Sequence, residues 1–176
     1  MTDAPLVCVM GVSAAGKSTV GAALAGVLDV PFVDADDLHP EANRAKMQSG
    51  RPLTDDDRWP WLDAVGAAFA DHRATGLVVA CSALRRSYRD RIRDVESAVE
   101  FVHLDGSREL LAARAGDRTD HFMPASLLES QFSTLEPLGG DEIGLVADVS
   151  ASASALVADI VARLSARADS GSQSLR

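Results

Sequence analysis

Apolar residues fall in five short, nearly unbroken runs along the chain: Leu6 to Met10, Phe32-Val33 within Pro31 to Asp36, Leu77 to Cys81, Phe101 to Leu104 and Leu145 to Val149. Runs that do not alternate with polar residues are expected of strands buried on both faces of a parallel sheet. Between them the spacing changes to three and four. Val20, Ala23, Leu24, Val27 and Leu28 place one apolar face on a helix from Ser18 to Leu28. Further helices are expected over Glu41 to Ser49, from a Thr54 or Asp55 cap to about Arg73, over Arg85 to Arg91, Ser107 to Ala115, Ala125 to Leu135 and Ala153 to Ala168. Strands alternating with helices predict an α/β fold, a parallel sheet covered on both faces, in a single domain over residues 1–168. The Ser/Gly-rich segment 169–176 is expected to be a disordered tail.

Composition narrows the classes of function. The chain has 176 residues, 47% hydrophobic and 24% charged, the balance of one globular domain with a full core. A formal charge of −9 argues against nucleic acid or an anionic membrane as the main partner. Fifteen of the seventeen basic residues are Arg, many in the middle of the chain, so a local cationic pocket is compatible with an acidic protein. Cys8 and Cys81 lie inside apolar runs and read as reduced core thiols. No metal-binding Cys/His spacing, secretory leader or apolar run of ~18 residues is present, so a soluble, cytoplasmic protein is expected.

The chemistry begins at Gly11-Val12-Ser13-Ala14-Ala15-Gly16-Lys17-Ser18, which matches the phosphate-loop template between the first strand and the first helix. Loop amides and the helix dipole can wrap phosphates, Lys17 reaches the terminal ones and Ser18 offers a hydroxyl to Mg²⁺. Asp34 and Asp36, read as two apart on an extended strand end, face one crevice; the alternative, as turn or capping residues before Leu38-His39-Pro40, is the weaker reading beside a phosphate loop that needs a metal and a base. Asp55-Asp56-Asp57 is read as the acidic first turn of a capped helix rather than a metal loop. Arg58 in that same turn opposes the helix dipole and calls for a negative partner. In the basic stretch after Ser82, Arg85 is placed at the crevice, and Arg91 and Arg93 at the surface. His103 is read as a packed strand residue. Residues 114–124, with Arg114, Arg118, a Gly and a closing Pro, are either a connector or a lid that delivers Arg to phosphates.

From about Val7 to Val149 the sequence resembles the small gluconokinases of the nucleoside-monophosphate-kinase-like group of phosphate-loop (P-loop NTPase) proteins. The resemblance is carried by the loop together with Asp34-Ala35-Asp36-Asp37-Leu38-His39-Pro40, Asn43-Arg44, Lys46-Met47, Pro52-Leu53, Asp55 to Arg58, Pro60-Trp61-Leu62, Cys81 to Arg85, Tyr88-Arg89-Asp90, His121-Phe122-Met123-Pro124, Gln131-Phe132 and Thr134-Leu135-Glu136. It implies a five-stranded parallel sheet with a mobile lid, a homodimer, and ATP-dependent phosphorylation of D-gluconate at its 6-hydroxyl, with Mg²⁺, feeding the pentose phosphate pathway. Gly11, Ser13, Ala14, Ala15, Gly16, Lys17, Ser18, Thr19 and Arg114 would hold ATP, and Ser18 and Asp34 the metal. Lys17, Asp36 and Arg118 would be catalytic. Asp36, His39, Arg58, Ser82, Arg85, His121 and Gln131 form the set available to gluconate. Two positions depart from the family pattern. Ala14 replaces a usual Gly and requires negative φ there, and Asp120 replaces a Gly before His-Phe in the lid.

Overall fold

The computed structural model of the protein describes residues 4–117 and 125–173. Its strands are β1 (Leu6–Met10), β2 (Phe32–Asp34), β3 (Leu77–Ala80), β4 (Glu100–Asp105) and β5 (Gly144–Asp148). They form one sheet in the order β2-β3-β1-β4-β5, and every pairing is parallel. The helices are α1 (Lys17–Leu28), α2 (Glu41–Gln48), α3 (Asp55–Asp71), α4 (Arg86–Val95), α5 (Arg108–Gly116), α6 (Ala125–Thr134) and α7 (Ala153–Gln173).

Strand alternation divides the core in two. Val7, Val9, Val78, Val102, Leu104, Leu145 and Ala147 point to one face, where Val20 and Leu24 of α1, Leu111 of α5, Leu128 of α6 and Ile160 of α7 cover them. Their neighbours Leu6, Cys8, Met10, Leu77, Val79 and Phe101 point to the other, against Leu62, Val65 and Phe69 of α3 and Ile92 of α4. This two-sided burial is why the strands read as unbroken apolar runs. Cys8 and Cys81 are free, buried thiols, and burial holds the Cys8 thiol well above the usual range.

Several local features match their sequence signals. Thr54 caps α3 in a reciprocal capping box, its side chain accepting from the Asp57 N–H while Asp57 accepts from the Thr54 N–H. Lys46 also reaches Asp57, and its hydrogen bond leads the interactions that depress that carboxyl to about 2. Ala14 sits in a 3-10 turn (Ser13–Ala15) without positive φ, which is what its Cβ requires. Other features differ. The α7 helix continues to Gln173, five residues past the expected end and into the segment expected to be disordered; earlier along it Arg163 and Arg167 bond to the Val146 and Gly144 carbonyls of β5. Arg93 is not a surface residue. Its guanidinium lies over the Phe101 ring, 4.9 Å from the centroid, and donates to the Ile143 carbonyl, so only 16% of its side chain is exposed.

The two sheet edges are treated differently. β2 is only three residues long. β5 presents the outward carbonyls of Gly144 and Val146, and the Nη1 atoms of Arg167 and Arg163 donate to them at 2.9 and 2.8 Å.

Candidate active site

In an open parallel sheet the crevice for ligands lies beyond the carboxyl ends of the strands, where successive connections diverge to opposite sides. Here β1 leads outward to β2, whereas β3 leads back across β1 to β4. The carboxyl end of β1 is therefore the natural floor of the site, and the phosphate loop occupies it.

The loop is shaped by its backbone. Gly11 has φ +145°, and a Cβ there would stand 2.9 Å from the Leu104 carbonyl oxygen, so only glycine lets the loop leave β1 against β4. Gly16 has φ +89° and starts α1, whose first-turn amides open toward the crevice. Lys17 Nζ donates to the Val12 carbonyl at 3.1 Å, folding its ammonium back over the loop. The Ser18 hydroxyl donates to Asp34 Oδ2 at 2.6 Å, which joins the start of α1 to the end of β2.

Asp36 is close to Asp34 but not on the same strand. β2 stops at Asp34, whose Oδ1 accepts the Asp36 N–H at 3.0 Å and caps a 3-10 turn over Ala35–Leu38. An aspartate at a strand end competes with the ladder by capping the next turn, which is the physical reason the strand is shorter than expected. Asp36 itself is open to solvent at its tip but lies in a concave neighbourhood. Crowding by protein, then the Asp34 charge, raises its carboxyl above the ordinary value, while His39 and Lys17 pull the other way.

The wall beyond Asp36 is aromatic and basic. His39 is buried and stacks on Trp61, with ring centroids 4.2 Å apart. The indole N–H of Trp61 donates to the Ala35 carbonyl at 2.7 Å, tying α3 to the turn that carries Asp36. Asn43 Nδ2 lies 3.3 Å from His39 Nδ1 and donates to the Asp57 carbonyl. Burial lowers the His39 pKa, so the ring is neutral at pH 7. Arg58 and Arg85, from α3 and from the N-cap of α4, both point at Asp55, at 3.2 and 3.4 Å. Tyr88 donates to the same carboxylate at 2.6 Å and has both guanidinium groups over its ring, 5.6 and 5.8 Å from the centroid. The Tyr88 bond, ahead of the two arginines, holds Asp55 below the usual carboxylate range. Arg58 thus has the negative partner its helix position demands. Ser82 follows β3, is half-buried, and its carbonyl accepts the Gly11 N–H at 3.3 Å.

A second compartment opens on the opposite side of the loop. It is a cavity of about 310 Å³ between Ala14, Ala15, Gly16, Thr19 and Val20 of the loop and α1, Arg114 of α5, and Val149, Ala151, Ala153 and Leu156 around the start of α7. Arg114 belongs to the last turn of α5 and donates to the Val149 carbonyl at 2.7 Å. Mostly apolar and bordered by the phosphate loop, this cavity suits a nucleotide base and ribose. Val149, Ala151, Ala153 and Leu156 carry no chemical signal in the sequence, and only the fold brings them here.

Gln131 lies against the phosphate loop, where its Oε1 accepts the Ser13 N–H at 2.7 Å. Arg118 and His121, with the lid segment 118–124 and Asp120, lie outside the described residues. His103 is a buried strand residue, lowered in pKa by burial, and not part of the site.

A phosphate loop at the head of a 2-3-1-4-5 parallel sheet, with carboxylates at the end of β2 and a base cavity beside it, defines a P-loop kinase of small molecules. Comparison with known proteins agrees. The sequence profile of the shikimate kinase family matches residues 13–137. A gluconokinase of Gluconobacter oxydans is 50% identical over 136 residues, covering 76% of this chain and 76% of its own. The crystal structure of a gluconokinase from Sinorhizobium meliloti superposes with a TM-score of 0.89 at 44% identity, covering 98% of each chain. The shikimate kinase of Aquifex aeolicus, 16% identical with a TM-score of 0.55 over 92% of this chain and 97% of its own, shares the fold alone. The chain belongs to the gluconokinase family, within the shikimate-kinase-like P-loop kinases.

Proposed function

We propose that the protein transfers the γ-phosphoryl group of ATP to the 6-hydroxyl of D-gluconate, giving 6-phospho-D-gluconate and ADP. The observation that carries this is the convergence of Arg58 and Arg85 on one carboxylate, in a chain 50% identical to a gluconokinase over 136 residues. Two guanidinium forks that already hold a carboxylate are suited to the carboxylate of a sugar acid. Ser82 and His39 offer polar contacts to its hydroxyls.

Transfer of this kind passes through a loose transition state in which the protein positions groups and stabilises spreading charge. The amides of the loop from Gly11 to Gly16 and the start of α1, with Lys17, cradle the β- and γ-phosphates, while Thr19 and Arg114 border the base and ribose. Asp36 orients the 6-hydroxyl. As the new O–P bond forms and the bond from the γ-phosphorus to the β–γ bridging oxygen breaks, the hydroxyl proton passes to the Asp36 carboxylate, late in the step. The raised Asp36 carboxyl is a better proton acceptor than a free aspartate, although orientation still outweighs basicity against an alcohol. Arg118 and His121 keep here the roles that the family resemblance gives them, toward the phosphates and the acceptor respectively.

The Ser18 hydroxyl and Asp34 carboxylate, hard oxygen donors in mutual contact, fit Mg²⁺. Among the described residues no group of three or more His, Cys, Asp or Glu forms a metal cage. Mg²⁺ commonly takes most of its ligands from water and phosphate. When bound, the ion neutralises charge on the phosphate oxygens. A homodimer is the expected assembly, and no described helix is long and apolar enough to cross a membrane.

An acceptor panel tests the proposal: D-gluconate, shikimate, a nucleoside monophosphate and a neutral hexitol, each assayed for ADP release with ATP and Mg²⁺. Gluconate is expected to support turnover at least 10²-fold above the others in kcat/KM. Turnover with shikimate but not gluconate would overturn it.

A further inference from the structure

The residue that does most to shape the acceptor wall touches no substrate. Arg89, on α4, is fully buried, and every one of its five N–H donors is used. Nε and Nη2 grip Glu142 at 2.7 and 2.9 Å, Nη1 donates to the carbonyls of Ala83 and Leu84 at 3.0 and 3.3 Å, and Nη2 also reaches the Pro137 carbonyl at 3.4 Å. A buried pair formed only for stability would be matched by its carboxylate. Here two donors are spent on one short stretch of backbone.

That stretch is strained. Ala83 has φ +42°, a left-handed conformation that a residue with a Cβ adopts only at a cost. Its neighbours are the two acceptor-side residues, Ser82 before it and Arg85 two residues after. The same turn is held from other directions. The Glu136 N–H donates to the Leu84 carbonyl at 2.8 Å, and the Glu136 carboxylate accepts the Arg86 N–H at 2.7 Å. Ser82 passes the arrangement on, because its carbonyl accepts the Gly11 N–H at the root of the phosphate loop.

Glu142 is fixed in turn. It accepts the Gly139 N–H at 2.8 Å and has Arg93 3.8 Å away. Burial opposes its ionisation, but these bonds and the two arginines outweigh it and leave its pKa below the ordinary value.

We infer that Arg89, anchored by Glu142, is a positioning residue for acceptor recognition: it locks the left-handed Ala83 turn and so fixes Ser82 and Arg85 at the crevice. The inference rests on the reading of Arg85 and Ser82 as acceptor contacts. Lysine at position 89 keeps the charge opposite Glu142 but, as a point donor, cannot span Glu142 and both carbonyls. Replacing the whole pair by Met and Leu removes the ion pair without leaving a buried charge, a change that is often neutral for stability.

The test measures thermal stability and both Michaelis constants for R89K, for the double variant R89M/E142L and for R85A. In R89K, and in R89M/E142L with a Tm within a few degrees of wild type, the KM for gluconate rises about 10-fold or more while that for ATP changes less than about 3-fold. A folded double variant with wild-type KM for gluconate, alongside an R85A variant whose KM rises, overturns the inference alone. An unchanged KM in R85A instead overturns the acceptor role of Arg85 and the inference with it. Equal losses for both substrates in a stable R89K would show a general structural role and also overturn the inference.

Discussion

Replacing Asp36 with Asn should separate activity from stability in opposite directions. Asn keeps the shape of the side chain and leaves intact the bond that caps the turn, since Asp34 accepts from the backbone N–H of residue 36 and not from its side chain. What it loses is the charge and the ability to take a proton. Loss of a positioned proton acceptor costs roughly 10²–10⁴-fold in rate, or about 3–5 kcal/mol of transition-state stabilisation at ~1.36 kcal/mol per decade. The KM for ATP should stay within about 2-fold, because residue 36 does not line the cavity beside the loop. Stability should not fall. The carboxyl is raised in the folded state by crowding and by Asp34, so its ionised form disfavours folding at neutral pH. A raised pKa means that its contribution is most favourable below the unfolded value and is lost as pH rises through the folded one. A neutral Asn removes that liability, and because water screens the exposed tip the gain is less than about 1 kcal/mol, or no more than ~2–4 °C in Tm for a domain of this size. A coupled assay of ADP release at saturating substrates, with a thermal melt of the same sample, checks both. A kcat within about threefold of wild type refutes the role given to Asp36, and a lowered Tm refutes the electrostatic account of its surroundings.

Further outcomes follow from the same geometry. In a pH profile of kcat/KM the acid limb should lie above the range of an ordinary aspartate and vanish in D36N, whereas neutral His39 should add no limb near pH 7; H39Q checks that assignment. R58A should raise the KM for gluconate about 10–100-fold with little change in the KM for ATP, as expected for loss of a charge-assisted fork, read by steady-state kinetics. S18A should raise the Mg²⁺ concentration needed for half-maximal rate several-fold at fixed ATP, because Asp34 then lacks its hydroxyl partner. T54A should lower stability by about 1 kcal/mol through loss of the helix cap, measured by denaturant unfolding, with kcat unchanged.

The elements that bury apolar surface were legible because burial on both faces imposes a pattern on every strand residue. β1, β3 and β4 carry it, whereas the edge strand β5 buries one face only and leaves Val146 exposed, although its residues are apolar on both. The phosphate loop was equally clear, since Gly11 and Gly16 are demanded by backbone geometry and Lys17 and Ser18 by chemistry. Where polar side chains choose between backbone partners, the pattern is silent. Asp34 ends β2 by capping a turn, and only three-dimensional placement shows that Asp36 leaves the strand. Arg89 and Arg93 look like members of a solvated basic face, yet Glu142, some fifty residues away, takes one inward and the Ile143 carbonyl holds the other. The bond from the Ser13 N–H to Gln131 Oε1 was equally hidden, because nothing local tells that α6 will pass beside the phosphate loop. The base cavity was invisible for a simpler reason: alanine and valine announce nothing.

The arginines along α7 have a consequence beyond that helix. By occupying the outward carbonyls of Gly144 and Val146 they take away acceptors that an incoming strand would use, and β2 at the opposite edge is only three residues long. Both edges are thereby blunted, which disfavours association of two copies by continuing the sheet.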